Sequence, residues 1–124
     1  MSGYNFEIKG IDNLLKDINN IQNNFHGDLQ NLIEKHGGIL LRNTKMKTPV
    51  DTGQLRRSWQ LEKGDLYVKL YNNVEYAQFV EFGHRTRGGK SYVEGVYMLK
   101  TSFEKTEKKF TNDLEKLLKK YGFK

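Results

Sequence analysis

The chain has no cysteine among its 124 residues, so neither a disulfide framework nor a thiolate metal site is available to it. Redox compartment leaves no mark on such a sequence, and stability has to come from packing and association. No apolar run approaches the roughly 18–20 residues of a membrane span. The first residues carry no basic segment followed by an apolar one, so the expectation is a soluble protein made in the cytoplasm, with no membrane contact. There is one proline, Pro49. Apolar residues make up only 36% of the chain and the mean hydropathy is −0.77, so a monomer would be thinly cored and part of its surface should lean on neighbours.

Metal and catalytic signatures are also missing. His26, His36 and His84 lie too far apart for ligand spacing, and none is paired with a carboxylate at such a spacing. Glu75 and Glu81 are the only carboxylates worth weighing as an acid-base pair, but nothing in the sequence puts them in a cleft. Gly88-Gly89 does not follow a strand and open a helix, so it is no phosphate cradle, and no serine sits in a nucleophile elbow. The expectation is a non-enzyme with no catalytic residue, cofactor or metal.

Charge is abundant and uneven. The net +6 divides into −3 over residues 1–34, +5 over 35–57, −2 over 58–83 and +6 over 84–124. Two basic blocks flank an acidic-leaning middle, a pattern that draws anionic partners but also arises from lysines on solvated helix faces. Arg42, Lys45, Lys47, Arg56, Arg57, Arg85, Arg87 and Lys90 are interleaved with Trp59, Tyr76 and Tyr92, as a nonspecific nucleic-acid surface requires. No helix-turn-helix, zinc-finger or RNA-recognition signature accompanies them. A basic nucleic-acid-binding domain, with DNA affinity that falls steeply with salt, therefore stands as one alternative function. A small nuclease, recognised by metal-dependent cleavage, is a second.

Periodicity supplies the elements. Tyr4, Phe6 and Ile8 alternate with polar residues, predicting a strand within residues 1–10. From Ile11 to Leu41 apolar residues recur at spacings of three and four, predicting helix over residues 11–48. Gly27, Gly37 and Gly38 each cost about 1 kcal/mol inside a helix, which predicts two helices or one bent helix, with the break near residues 24–27. Pro49 lacks an amide hydrogen and drives its predecessor from the α region, so helix ends by Thr48. Residues 58–62 and 66–71 meet around Lys63-Gly64-Asp65 as a β-hairpin within a motif region, residues 49–83. Residues 84–95 form a basic loop and return, with His84-Arg85-Thr86-Arg87-Gly88-Gly89-Lys90 exposed and mobile. Residues 96–122 form a C-terminal helix with Leu99, Phe103, Phe110, Leu114, Leu117, Leu118 and Tyr121 on one stripe and Gly122 closing it. The fold class is α+β in one domain over residues 1–124: two N-terminal helices and a long C-terminal helix on a small antiparallel sheet, with an exposed basic loop.

Two motifs stand out within residues 48–89. Thr48-Pro49-Val50-Asp51-Thr52-Gly53-Gln54-Leu55-Arg56-Arg57-Ser58 resembles Pro-Val-x-Thr-Gly-x-Leu-Arg-x-Ser, and Val74-Glu75-Tyr76-Ala77-Gln78-Phe79-Val80-Glu81-Phe82-Gly83 resembles Tyr-Ala-x-x-Val-Glu-Phe-Gly. Both patterns belong to the head-tail joining, gene-product-ten-like neck or tail-completion proteins of long-tailed bacteriophages. The order also matches: a helical first third, the first motif, a hairpin, the second motif, a basic variable loop and a closing helix. The sequence departs from the pattern at His84-Arg85, where threonine commonly follows the glycine, and in lacking a proline after the loop.

The resemblance implies a virion assembly protein. It would form a homo-oligomeric ring between the connector or adaptor and the tail-terminator or tail-tube proteins, in the host cytoplasm during assembly and in the neck or tail region of the virion afterwards. Pro49, Thr52, Gly53, Leu55, Arg56, Ser58, Tyr76, Ala77, Val80, Glu81, Phe82 and Gly83 would then shape the domain. Thr52 is expected to cap the turn after it, Gly53 to take a positive φ and Leu55 to pin that turn to the core. Tyr76, Phe79 and Phe82 are expected to pack the sheet on the helices, and Glu81 to pair with Arg56 or Arg57. His84, Arg85, Arg87 and Lys90 are the expected contacts with an acidic partner surface or with DNA passing through the lumen.

Overall fold

The computed structural model describes residues 11–50, 53–86 and 88–123; the strand expected in residues 1–10 and the Thr52 cap lie outside them. The element order is α1 (Ile11–Lys47), α2 (Gln54–Arg57), β1 (Trp59–Gly64), β2 (Tyr67–Asn72), α3 (Ala77–Phe82), β3 (Gly83–Arg85), β4 (Tyr92–Glu94) and α4 (Met98–Lys120). The fold is α+β, as the periodicity implied, with two separate antiparallel ribbons, β1–β2 and β3–β4, in place of one sheet.

The expected break near residues 24–27 does not occur: α1 is one helix of 37 residues. Local propensity is overridden by tertiary packing, because α1 is the spine against which the other elements lie. On one side α4 runs antiparallel to it. Tyr121 Oη donates to Asp28 Oδ2 at 2.6 Å at one end, His36 Nε2 lies 2.8 Å from Asp113 Oδ2 midway, and Lys47 Nζ donates to Thr101 Oγ1 at 3.1 Å at the other. On another side lies the β1–β2 hairpin, in register from Trp59↔Asn72 to Gly64↔Tyr67, its turn at Asp65-Leu66. Gln30 holds that turn with both ends of its amide: Nε2 donates to Gly64 O at 2.9 Å, and Oε1 accepts from the Leu66 amide at 2.6 Å.

Gly37 explains its own presence in the helix. A Cβ there would lie 2.8 Å from Val68 Cγ2, so the missing side chain lets β2 lie close to α1. At Gly27 and Gly38 a Cβ would meet nothing within 4 Å. Gly27→Ala and Gly38→Ala should therefore each stabilise the protein by about 0.5–1 kcal/mol, whereas Gly37→Ala should gain nothing or destabilise it. Urea unfolding of the three variants checks this, and a stabilised Gly37→Ala would refute the close-packing account.

The core is small, as the hydropathy suggested. Leu55, Trp59 and Met98 are buried together, with Leu41, Leu70, Val74, Ala77, Val80 and Leu99 packed around them. It therefore sits at the C-terminal end of α1, where both sequence motifs and the start of α4 converge. The α1–α4 seam beyond it is more polar. Thr44, Ser102 and Thr106 bury hydroxyl oxygens with no hydrogen-bond partner among the described residues, so this seam holds less than an apolar one of equal area.

Candidate functional site

The first motif closes the end of α1. Pro49 stops the helix, and Thr48, buried at its end, donates its hydroxyl to Thr44 O at 2.6 Å. The same oxygen accepts the indole N–H of Trp59 at 2.8 Å, so one buried hydroxyl ties the helix end to the first strand. Gly53 has φ 72, a left-handed conformation that turns the chain into α2. Leu55 is 3% exposed and belongs to the core. Ser58 Oγ returns to Gln54 O at 2.7 Å.

Arg56 reaches back to the same helix end. Its Nε donates to Lys45 O at 2.7 Å and its Nη2 to Met46 O at 3.2 Å. A cation thus adds donors to carbonyls of the last turn, of which Lys45 O also accepts the Thr48 amide at 3.1 Å, and sits at the negative end of the α1 dipole. This corrects the expected pairing of Glu81 with Arg56 or Arg57.

Glu81 serves the opposite kind of helix end. It is 6% exposed, and its two carboxylate oxygens accept the amides of Leu99 and Lys100 at 2.9 and 2.8 Å, in the first turn of α4. Tyr97, at the cap position, has φ 53 and offers no side-chain bond, so the cap comes from α3, 18 residues earlier in the chain. The backbone strengthens the joint: Val96 N donates to Val80 O and Tyr97 N to Glu81 O. Each motif therefore uses one charged side chain of the appropriate sign to neutralise a helix terminus.

The aromatic residues of the second motif do not take the places expected of them. Tyr76 is 37%, Phe79 55% and Phe82 54% exposed, while Ala77 and Val80 face the core. In a six-residue helix, positions 77, 80 and 81 occupy one side, and the ends of the motif fall on the other. Gly83, φ 84, then turns directly into β3, and an added Cβ would strike the Val93 carbonyl oxygen.

The basic segment is more ordered than a free loop. His84 and Arg85 lie in β3, paired with Val93 and Tyr92, and Thr86 bonds to Ser91 through both its amide and its hydroxyl. His84 touches Phe79, ring centroids 5.8 Å apart. Arg85 and Lys90 are exposed, and Arg87 lies outside the described residues. Among the described residues no cluster of three histidine, aspartate or glutamate side chains has the geometry to hold a metal, and Glu75 is exposed while Glu81 is buried on the amides of α4. No helix of the described residues is long and apolar enough to cross a membrane.

Two polar pairs on the α1–α4 seam have no sequence signal, their partners being 77 and 93 residues apart. The His36 hydrogen bond holds the Asp113 carboxyl below its ordinary value of 3.8, and the hydrogen bonds from Tyr121 and then Lys120 do the same for Asp28. Asp28 in turn pushes the Tyr121 hydroxyl above its ordinary 10.0. A lowered carboxylate stabilises the fold fully above pH 3.8 and loses that contribution as pH falls through its folded value; the raised tyrosine contributes below pH 10.0 and loses it as pH rises. Asp113→Asn should therefore flatten the acid limb of the melting temperature against pH while leaving the alkaline limb in place, as thermal circular dichroism would show. An unchanged acid limb would remove Asp113 from the account.

Such an arrangement is that of a structural module, in which Arg56 and Glu81, one charged residue from each motif, serve helix ends. Residues 12–83, more than half of the chain, match the model of the HK97-gp10-like family, described as "Bacteriophage HK97-gp10, putative tail-component". The chain belongs to this phage tail-component family. No curated protein and no solved structure matches it.

Proposed function

We propose that this protein is a structural subunit of the phage head-tail connector, a neck or tail-completion protein that forms a ring between the connector and the tail. The observation that carries the reading is the division of labour around residue 83. The family match ends there, and up to that point one charged residue of each motif, Arg56 and Glu81, is hydrogen-bonded to a helix end. Beyond it the β3–β4 ribbon presents Arg85 and Lys90 to solvent. Cations on a thin exposed ribbon suit DNA phosphates in a lumen or an acidic face of the next ring, and neither contact requires a reaction. Changing Arg85, Arg87 and Lys90 together to alanine should lower the yield of infectious particles from a genome carrying the variant, with the circular dichroism spectrum of the purified protein unchanged. Normal yield from the triple variant would overturn the role given to the ribbon.

A further inference from the structure

The basic residues that the sequence marks for nucleic acid are partly engaged within the chain: Arg56 bonds to the end of α1 and Lys47 to Thr101. A second set of cations comes together only in the folded protein. Between α1 and α4 an open groove of about 290 Å³ is lined by Lys35, His36 and Ile39 from one helix and by Lys109, Asn112, Asp113 and Lys116 from the other. A second hollow adjoins it, shares Lys35 and Asp113, and continues past Asp28 to Lys120.

The carboxylates of this groove are already held, while most of its ammonium groups are not. Asp113 is hydrogen-bonded to His36 Nε2 at 2.8 Å, and Asp28 accepts from Tyr121 Oη and Lys120 Nζ. Lys35, Lys109 and Lys116 are exposed, and none of them makes an ion pair among the described residues. Charge is also segregated around α4. At 3.6 residues per turn, Lys105, Lys109 and Lys116 fall within about 40° of one another, and every glutamate of α4 lies at least about 80° from that arc. A merely solvated face mixes both signs, as the outer face does with Glu104 four residues before Lys108 and Glu115 four before Lys119.

Length and polarity select the partner. From Lys105 to Lys120 the lysine row runs about 22 Å at the ordinary rise, too long for one small anion, whereas a DNA strand carries a phosphate about every 3.4 Å along its axis. Ile39, the one apolar residue lining the cavity between Lys35 and Lys116, is half-buried, and none of the large apolar side chains left exposed lies there. A protein partner would call for an apolar centre to the contact; a phosphate backbone does not. We propose that the α1–α4 groove binds the phosphate backbone of duplex DNA through Lys35, Lys109 and Lys116, without reading sequence. The groove is separate from the cations of the β3–β4 ribbon and serves this role whether or not the ribbon meets DNA.

The test titrates the full-length chain against a fluorescent random-sequence duplex of about 30 base pairs, from about 50 to 200 mM salt. Each neutralised phosphate contributes about 0.9 to the slope of log affinity against log salt. Lys35→Gln, Lys109→Gln and Lys116→Gln together should therefore lower the slope by about 2–3 and weaken binding at the low-salt end by more than about tenfold, with the melting temperature unchanged. If the triple variant does not fold, the three single variants decide in its place, each losing about 0.9 of slope. No binding at the low-salt end would overturn the proposal. So would variants that keep the slope and affinity of the unmodified chain, and a loss on Arg85→Ala with Lys90→Ala would then move the contact to the ribbon. Polyglutamate that binds as tightly as the duplex, with the same dependence on the three lysines, would make the groove a seat for an acidic protein and would also overturn it.

Discussion

Replacing Glu81 with alanine is expected to destabilise the protein by about 2–4 kcal/mol, which for a chain of this size lowers the melting temperature by roughly 10 °C. Two effects add in one direction. The α4 terminus loses its side-chain cap, since Tyr97 supplies none, and the amides of Leu99 and Lys100 are left without acceptors in a part-buried joint. A negative charge also leaves the positive end of the helix dipole. Glu81→Gln keeps one acceptor oxygen but turns its NH₂ toward an amide, so it should fall between alanine and wild type. Thermal circular dichroism measures the loss, and hydrogen exchange at Leu99 and Lys100 should accelerate before exchange in the middle of α1. A Glu81→Ala protein within about 0.5 kcal/mol of wild type, the scatter of ordinary surface substitutions, would mean that the cap contributes nothing.

The way Glu81 departs from its expected partner shows where sequence stops informing. Opposite charges in two motifs suggest a salt bridge, because residue types display formal charges and hide the partial charges at helix ends. Arg56 and Glu81 instead take helix termini as partners, and those termini are set by Pro49 on one side and by the chain's re-entry at residues 96–97 on the other. The aromatics of α3 fail for a related reason. Phe79 and Phe82 are the most apolar residues of their segment, but the small residues Ala77 and Val80 are what a short helix tucked against Leu55 and Met98 can accommodate.

Other features were legible. The hairpin and the second half of the α4 stripe, Phe110 to Tyr121, follow from local periodicity and turn chemistry, with the hairpin turn one residue later than Lys63-Gly64-Asp65 suggests; Phe103, expected on that stripe, is instead 51% exposed, and Ser102 and Thr106 take the buried positions. The continuity of α1 was not legible, since the glycine penalties are local while Val68, which Gly37 accommodates, is 31 residues away in the chain. The His36–Asp113 pair likewise joins residues whose spacing carries no pattern. Family membership was legible because the motif residues hold the fold together. The surface that the motifs leave uncovered has no comparable signature.

The largest single loss is expected at Trp59. Its side chain is buried with Leu55 and Met98, and truncation to alanine removes the aromatic ring from that three-residue cluster, at a cost of about 3–5 kcal/mol. Against a total stability on the order of 5–15 kcal/mol, that is enough to leave much of the protein unfolded at 37 °C. The Thr48 hydroxyl separates volume from hydrogen bonding. Thr48→Val keeps the shape but removes both the acceptor for the Trp59 indole and the bond to Thr44 O, so it should cost about 1–3 kcal/mol. Trp59→Phe removes the indole N–H while keeping a ring in place. If the two side chains act as one joint, combining Thr48→Val with Trp59→Phe costs less than the sum of the single losses by about 0.5–2 kcal/mol, since the second change removes a bond already broken. Urea unfolding of the four proteins measures that coupling directly. Strict additivity would mean that Trp59 stabilises the fold through packing alone, and that the bond linking the end of α1 to the first strand positions the chain without strengthening it.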